Sequence, residues 1–149
     1  MSRATVSFWQ RYRYLLNAVL LALPVYYFWQ AMNPVGQPSL ATRSLGELTA
    51  TPVPLDPYAP YLHDGVYVKD FRVDFCDGCI SRIRQAYLYA APQPQPLPES
   101  GDGILHGSQH ALHVHAVFPQ QIGDQDSLWL TLETWSGEQF HASWPLDFL

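Results

Sequence analysis

LWLTLETWSGEQFHASW, residues 128–144, is the stretch on which the fold turns. Leu128, Leu130 and Leu132 alternate with Trp129, Thr131 and Glu133. After a polar SGE, Phe140, Ala142 and Trp144 alternate with Gln139, His141 and Ser143. Period-two alternation marks strands that bury one face. A two-residue loop, Ser136–Gly137, sets Leu132 against His141, apolar against polar. A three-residue loop, Ser136–Glu138, pairs Leu132 with Ala142, Leu130 with Trp144 and Glu133 with His141. That second register keeps the apolar residues together, so it is the one expected.

The same period recurs upstream. GVYVKDFRVDF (65–75) sets Phe71, Val73 and Phe75 against Asp70, Arg72 and Asp74. QAYLYA (85–90) is a short β-compatible run. HALHVHAVF (110–118) sets Leu112, Val114, Ala116 and Phe118 against Ala111, His113, His115 and Val117. Several short strands of this kind predict an all-β domain, a small antiparallel β-sandwich of immunoglobulin-like architecture. A proline-rich stretch, APQPQPLPESGDG (91–103), interrupts it as a surface loop of polyproline character.

Ahead of the strands the chain changes character. Residues 1–33 carry Arg3, Arg11 and Arg13 and no acid, and no charge falls between Arg13 and Arg43. YLLNAVLLALPVYYFWQAM, residues 14–32, is therefore long and apolar enough for a membrane-spanning helix, with Pro24 as a kink. Trp9, Tyr12 and Tyr14 at one end, and Tyr26, Tyr27, Phe28 and Trp29 near the other, fit the two interfaces. YYFWQAMN lacks the small residues of a cleavage site, so an uncleaved anchor is expected. By the positive-inside rule the head, 1–13, is cytoplasmic, the anchor is in the inner membrane and the β domain, 62–149, is periplasmic. Residues 33–61, with six prolines, read as an extended tether between them.

Beyond residue 33 the chain holds five basic against 13 acidic residues, with Lys69 as its one lysine. That balance argues against nucleic acid as a partner, because phosphate binding needs clustered Lys and Arg. No Gly-rich phosphate loop, serine-nucleophile motif or H-E-x-x-H helix is present, so no catalytic residue is assigned.

Two clusters carry chemistry. Cys76 and Cys79, the only cysteines, flank Asp77–Gly78. Asp-Gly favours a type I′ turn, and two cysteines so close pair in an oxidising compartment. The alternative is a thiol-disulfide exchanger, with ISRIRQAYL as a helix behind C-x-x-C; that layout faintly resembles the start of a thioredoxin-like site, which implies interleaved helices that the downstream strands do not supply. A metal knuckle needs a second ligand pair, and only histidine is left to provide it.

LHGSQHALHVH holds four of the six histidines. His113 and His115 share one strand face, and His-x-His can set two imidazoles on one Zn²⁺ or Cu²⁺. His106 and His110 lie in the segment before that strand, and His141 is expected on the same polar face. His63, in YLHDG, reads as a turn residue. Trp129 and Trp135 on the polar face mark a contact surface, or the face that packs under the proline-rich loop. The expectation is a membrane-anchored accessory protein that binds or delivers copper or zinc, partnered by an integral membrane protein. An assembly subunit without a metal is the alternative from a different class.

Overall fold

The computed structural model describes residues 8–33, 36–109 and 111–149 and divides into two compact units, 1–36 and 37–149. His110, one of the expected ligands, and residues 1–7 of the basic head lie outside the described residues.

The first unit is one helix, α1 (Phe8–Met32), which runs through Pro24 without interruption. Its apolar side chains are exposed all round, and Tyr12–Met32 is long and apolar enough to cross a membrane. At ~1.5 Å per residue such a span covers ~31 Å, the thickness of a hydrocarbon core.

The second unit is built from nine strands: β1 (Arg43–Leu45), β2 (Leu48–Pro54), β3 (Tyr61–His63), β4 (Val66–Phe75), β5 (Ile83–Ala91), β6 (His106–Gly107), β7 (Leu112–Phe118), β8 (Ser127–Thr134) and β9 (Gln139–Trp144). They form a single sheet in the order β1-β2-β4-β7-β5-β8-β9, with β3 on β4 and β6 on β7. The pairings are antiparallel except one: β5 meets β7 in parallel at Tyr89–Val117. That junction ties the two halves together, and β1 returns beside β9, so the sheet is barrel-like. The all-β class expected from the sequence is what forms, but in one barrel-like sheet and not clearly as the two separate sheets of an immunoglobulin-like sandwich. Leu48, Ala50, Phe71, Val73, Leu88, Val114, Ala116, Leu128, Leu130, Leu132 and Trp144 point into one shared core. The apolar set of each expected strand lies on the side the alternation assigned.

The expected tether, 33–61, carries β1, β2 and the start of β3. Its prolines do not prevent this, because of where their missing donors point. Leu55 N–H donates to Asp70 O on the β4 side of β2, while Leu40 N–H donates to Pro52 O on the opposite side. Alternation along the strand thus turns Pro52 and Pro54 away from β4, where no ladder donor is required.

Two turns differ from expectation. The hairpin β8–β9 has the expected loop length, three residues, but shifted by one, to 135–137. The register is Leu132–Phe140, Leu130–Ala142, Leu128–Trp144 and Glu133–Gln139, not Glu133–His141. A three-residue loop wants its left-handed residue last, and Gly137 (φ 84°) fills that position. Asp77–Gly78 is not a type I′ turn, since among these two only Gly78 has positive φ. The I′ signature belongs to the other Asp-Gly: Asp64 (φ 47°) and Gly65 (φ 87°) join β3 to β4, with His63 opposite Val66.

Cys76 and Cys79 are joined in a disulfide that closes a four-residue turn, with Cys79 N–H donating to Cys76 O at 3.0 Å. A short 3-10 turn (Ile80–Arg82) then leads straight into β5, so the helix that the redox alternative needs is a strand instead. Replacing both cysteines by serine is expected to cost about 2 kcal/mol, the chain entropy of so small a loop. The check is a lower urea midpoint with unchanged slope.

Candidate functional site

The outer face of β3, β4, β6 and β7 gathers most of the chemistry in the chain. Antiparallel pairing of β4 with β7 sets Asp70 opposite His115 and Arg72 opposite His113. The short strand β6 sets His106 directly opposite His113. It can lie that close because Gly107 (φ 142°) has no side chain: a Cβ there would stand 2.3 Å from Ala111 O. From the other side the β3–β4 hairpin brings in Tyr61 and His63.

The rings form a row. His63 stacks on His115 with centroids 5.4 Å apart, His106 lies 6.2 Å from His115, and His106 meets His113 edge-on at 4.2 Å. His115 Nδ1 lies 2.5 Å from Asp70 Oδ1, and Tyr61 O–H donates to Asp70 Oδ2 at 3.1 Å. His106 Nδ1 lies 3.1 Å from Ile104 O. A carboxylate and a carbonyl only accept, so each of these Nδ1 atoms carries the proton. The lone pair of the neutral ring is then on Nε2. Desolvation, followed by the hydrogen bond to Asp70, holds the Tyr61 phenol above the usual tyrosine range, which keeps it a donor. Arg72, across from His113, is engaged by both carboxylate oxygens of Asp74, at 2.9 and 3.0 Å. Among the described residues no three His, Cys, Asp or Glu side chains converge on one point at ligand distance. The rings stand side by side, 4.2 to 6.2 Å between neighbouring centroids, without meeting at one point.

His141 does not belong to this row. It lies on β9, with Nδ1 3.0 Å from Thr131 Oγ1. At least three strand spacings, ~14 Å, separate β7 from β9 in the sheet. Between them lies the proline-rich loop, strapped over the outer face of β5 and β8. Gln95 O accepts from Thr131 Oγ1 at 2.9 Å, Gln95 N–H donates to Tyr89 Oη, and Gln85 donates to Pro98 O at 2.7 Å. Trp129 belongs to the same arrangement, half-buried, with Nε1–H donating to Ala91 O at 3.1 Å. Of the two expected contact tryptophans, only Trp135, on the β8–β9 loop, is open to solvent, at 69%. Glu133 does not face the histidines either. It pairs with Arg84, whose hydrogen bond holds the carboxyl below its ordinary range.

The disulfide is elsewhere as well. Cys76 lies four residues beyond Arg72, the partner of His113, which is ~13 Å along the strand. Cys79 is buried in the core and Cys76 Sγ accepts from Thr49 N–H at 3.3 Å. Paired and turned inward, the sulfurs share no site with the imidazoles.

The family model described as uncharacterised conserved protein UCP029505 matches residues 8–147. This chain belongs to that family. The match takes in both α1 and the whole strand set, so helix and barrel fall within one family unit. No curated protein and no solved structure matches the chain.

Three residues of the site, Tyr61, His63 and Asp70, were missed in the sequence. His63 reads as a turn residue because its register follows from the Asp64–Gly65 turn, and Asp70 reads as one carboxylate in a solvated alternation with Arg72. The I′ signal at 64–65 was the available clue to His63.

Proposed function

We propose that this protein is a membrane-anchored periplasmic accessory protein that binds a divalent transition metal, copper or zinc, through the histidines beside and on β7. The observation that carries this reading is the pinning of Nδ1 in His106 and His115 by oxygen acceptors. Metal-bound histidine has this same arrangement, with the outer nitrogen hydrogen-bonded and the inner one free to ligate. Ring spacing agrees with it. Two imidazoles on one tetrahedral ion, with bonds of ~2.0 to 2.1 Å, place their ring centres about 5 Å apart. The spacings of 4.2 and 6.2 Å from His106 to its neighbours bracket that value. A shallow site on an open sheet face suits exchange with a partner better than permanent storage. The α1 helix and the disulfide support placement on the oxidising side of the inner membrane.

The test uses the full chain in detergent, loaded with Zn²⁺ or Cu²⁺ and dialysed. One equivalent is expected on the wild type and none on the triple variant His106→Ala, His113→Ala, His115→Ala. A wild-type chain that retains no metal after loading in either ion ends this reading.

A second reading rests on Trp135, whose exposed indole at the hairpin tip is the kind of residue that anchors interfaces. An assembly subunit of an inner-membrane complex is expected to co-purify with an integral membrane protein and to lose it on Trp135→Ala.

A further inference from the structure

Resting on the metal reading above, we infer that His63 is a ligand from the opposite wall and that Asp70 is the positioning residue of a four-imidazole site selective for borderline divalent ions such as Cu²⁺ and Zn²⁺.

The β3–β4 hairpin is what makes His63 available. Its I′ turn fixes both central residues in the left-handed region, so the strands cannot slip by one residue without turning His63 to the other face. In the observed register the His63 ring lies against His115, 5.4 Å between centroids and 27° between planes. That is again near the ~5 Å expected for two imidazoles on one ion. His115 is the central member of the row, flanked by His63 on one side and His106 on the other. An ion held by His115 Nε2 therefore has an imidazole on each flank, with His113 beyond His106.

Asp70 sits behind His115 and not among the rings' free nitrogens. Its Oδ1 accepts from His115 Nδ1–H and its Oδ2 accepts from the Tyr61 hydroxyl, so both oxygens are occupied by donors. The carboxylate is three-quarters buried, with 26% of its side chain exposed. Its work is to fix the ring plane and tautomer of His115 and to raise the basicity of Nε2, and loss of such a partner weakens metal binding by ~10- to 100-fold.

The donor set decides the class of ion. Four imidazole nitrogens with one nearby carboxylate, Asp64, whose Oδ2 lies 3.7 Å from His63 Nε2, fall well short of the roughly six to eight oxygens that Ca²⁺ takes. With both sulfurs paired to each other, the soft ligands that select Cu⁺ are absent as well. Imidazole suits Cu²⁺ and Zn²⁺.

The experiment titrates the full chain in detergent with Zn²⁺ and Cu²⁺ against a chromophoric competitor, with Cu²⁺ electron paramagnetic resonance to count coupled nitrogens. Asp70→Asn, which keeps the shape of the side chain, is expected to weaken binding ~10- to 100-fold while the nitrogen count stays that of the wild type. His63→Ala is expected to weaken binding and to lower that count by one. Ca²⁺ and Mg²⁺ at millimolar levels are expected to displace neither ion. If the wild type binds no metal, the underlying reading falls and this one with it. If the wild type binds but His63→Ala and Asp70→Asn leave affinity and spectrum unchanged, only the present inference is overturned. Circular dichroism of each variant separates loss of the site from loss of the fold.

Discussion

A chain cut to begin at Leu62, where the proline-rich segment was expected to end, is expected not to fold, whereas one that begins at Gln37 is. The shorter fragment lacks β1 and β2. With them go Leu45, Leu48 and Val53, buried to 1%, 1% and 8% exposure, and Ala50, which is fully buried. Three aliphatic side chains of that kind contribute roughly 5 to 9 kcal/mol. A domain of this size holds only about 5 to 15 kcal/mol in total. The loss is also structural. Phe71, Val73 and Phe75 lose their ladder partners in β2, and that edge of β4 is left open, which invites aggregation. Trp144 loses Ala41 O, the acceptor of its indole N–H. The comparison is direct: far-UV circular dichroism and cooperative urea unfolding of 37–149 beside 62–149. A cooperative transition in the shorter fragment would show that β1 and β2 are dispensable.

The same residues show what a sequence read alone conveys. Where one face of a strand is buried and the other wet, the alternation is visible, and β4, β5, β7, β8 and β9 were each legible. In β2 the inward residues are Leu48, Ala50, Pro52 and Pro54, and two prolines in a row of inward positions read as a tether. Which edge a proline's missing donor faces depends on the neighbouring strand, and that neighbour is twenty residues away. Closure was hidden for a related reason. Alternation tells that a face is buried but not whether the sheet it belongs to is one or two. The parallel meeting of β5 with β7 is a single ladder pair, Tyr89–Val117, that no local pattern announces. Within the site, His113 and His115 were legible because they share a strand. His63 and Asp70 join them only through pairing of β3, β4 and β7, which is tertiary information. Which of the two readings of the tryptophan face applies at Trp129 was likewise tertiary information, since its indole N–H meets Ala91 O where the proline-rich strap begins.

Lys69→Met is expected to lower stability by about 2 to 4 kcal/mol, the second large effect. Lys69 shares the inner side of β4 with Phe71 and Val73, and its side chain is 2% exposed. A lone ammonium there would be prohibitive. It is tolerated because its three N–H donors have three acceptors: Asp56 O at 3.0 Å, Asp56 Oδ1 at 3.1 Å and Tyr58 O. The lysine thus holds the loop between β2 and β3 closed over the barrel. Methionine keeps the length of the stem but offers no donor. Two backbone carbonyls lose their partner, while Asp56, whose side chain is 32% exposed, can rehydrate. That asymmetry makes a second measurement decisive. If the ion pair alone mattered, removing Asp56 as well, as in Lys69→Met with Asp56→Leu, would restore stability, as replacement of buried pairs by apolar residues often does. Here the carbonyls remain unsatisfied, so the double variant is expected to recover only part of the loss. Thermal unfolding should read the single variant as a drop on the order of 10 °C. Because the loop leads directly into β3, the same variant is expected to loosen the placement of Tyr61 and His63, visible as faster amide exchange across β3. Wild-type stability in Lys69→Met would mean that the carbonyls of Asp56 and Tyr58 find other donors, and the lysine would then be a passenger in the core.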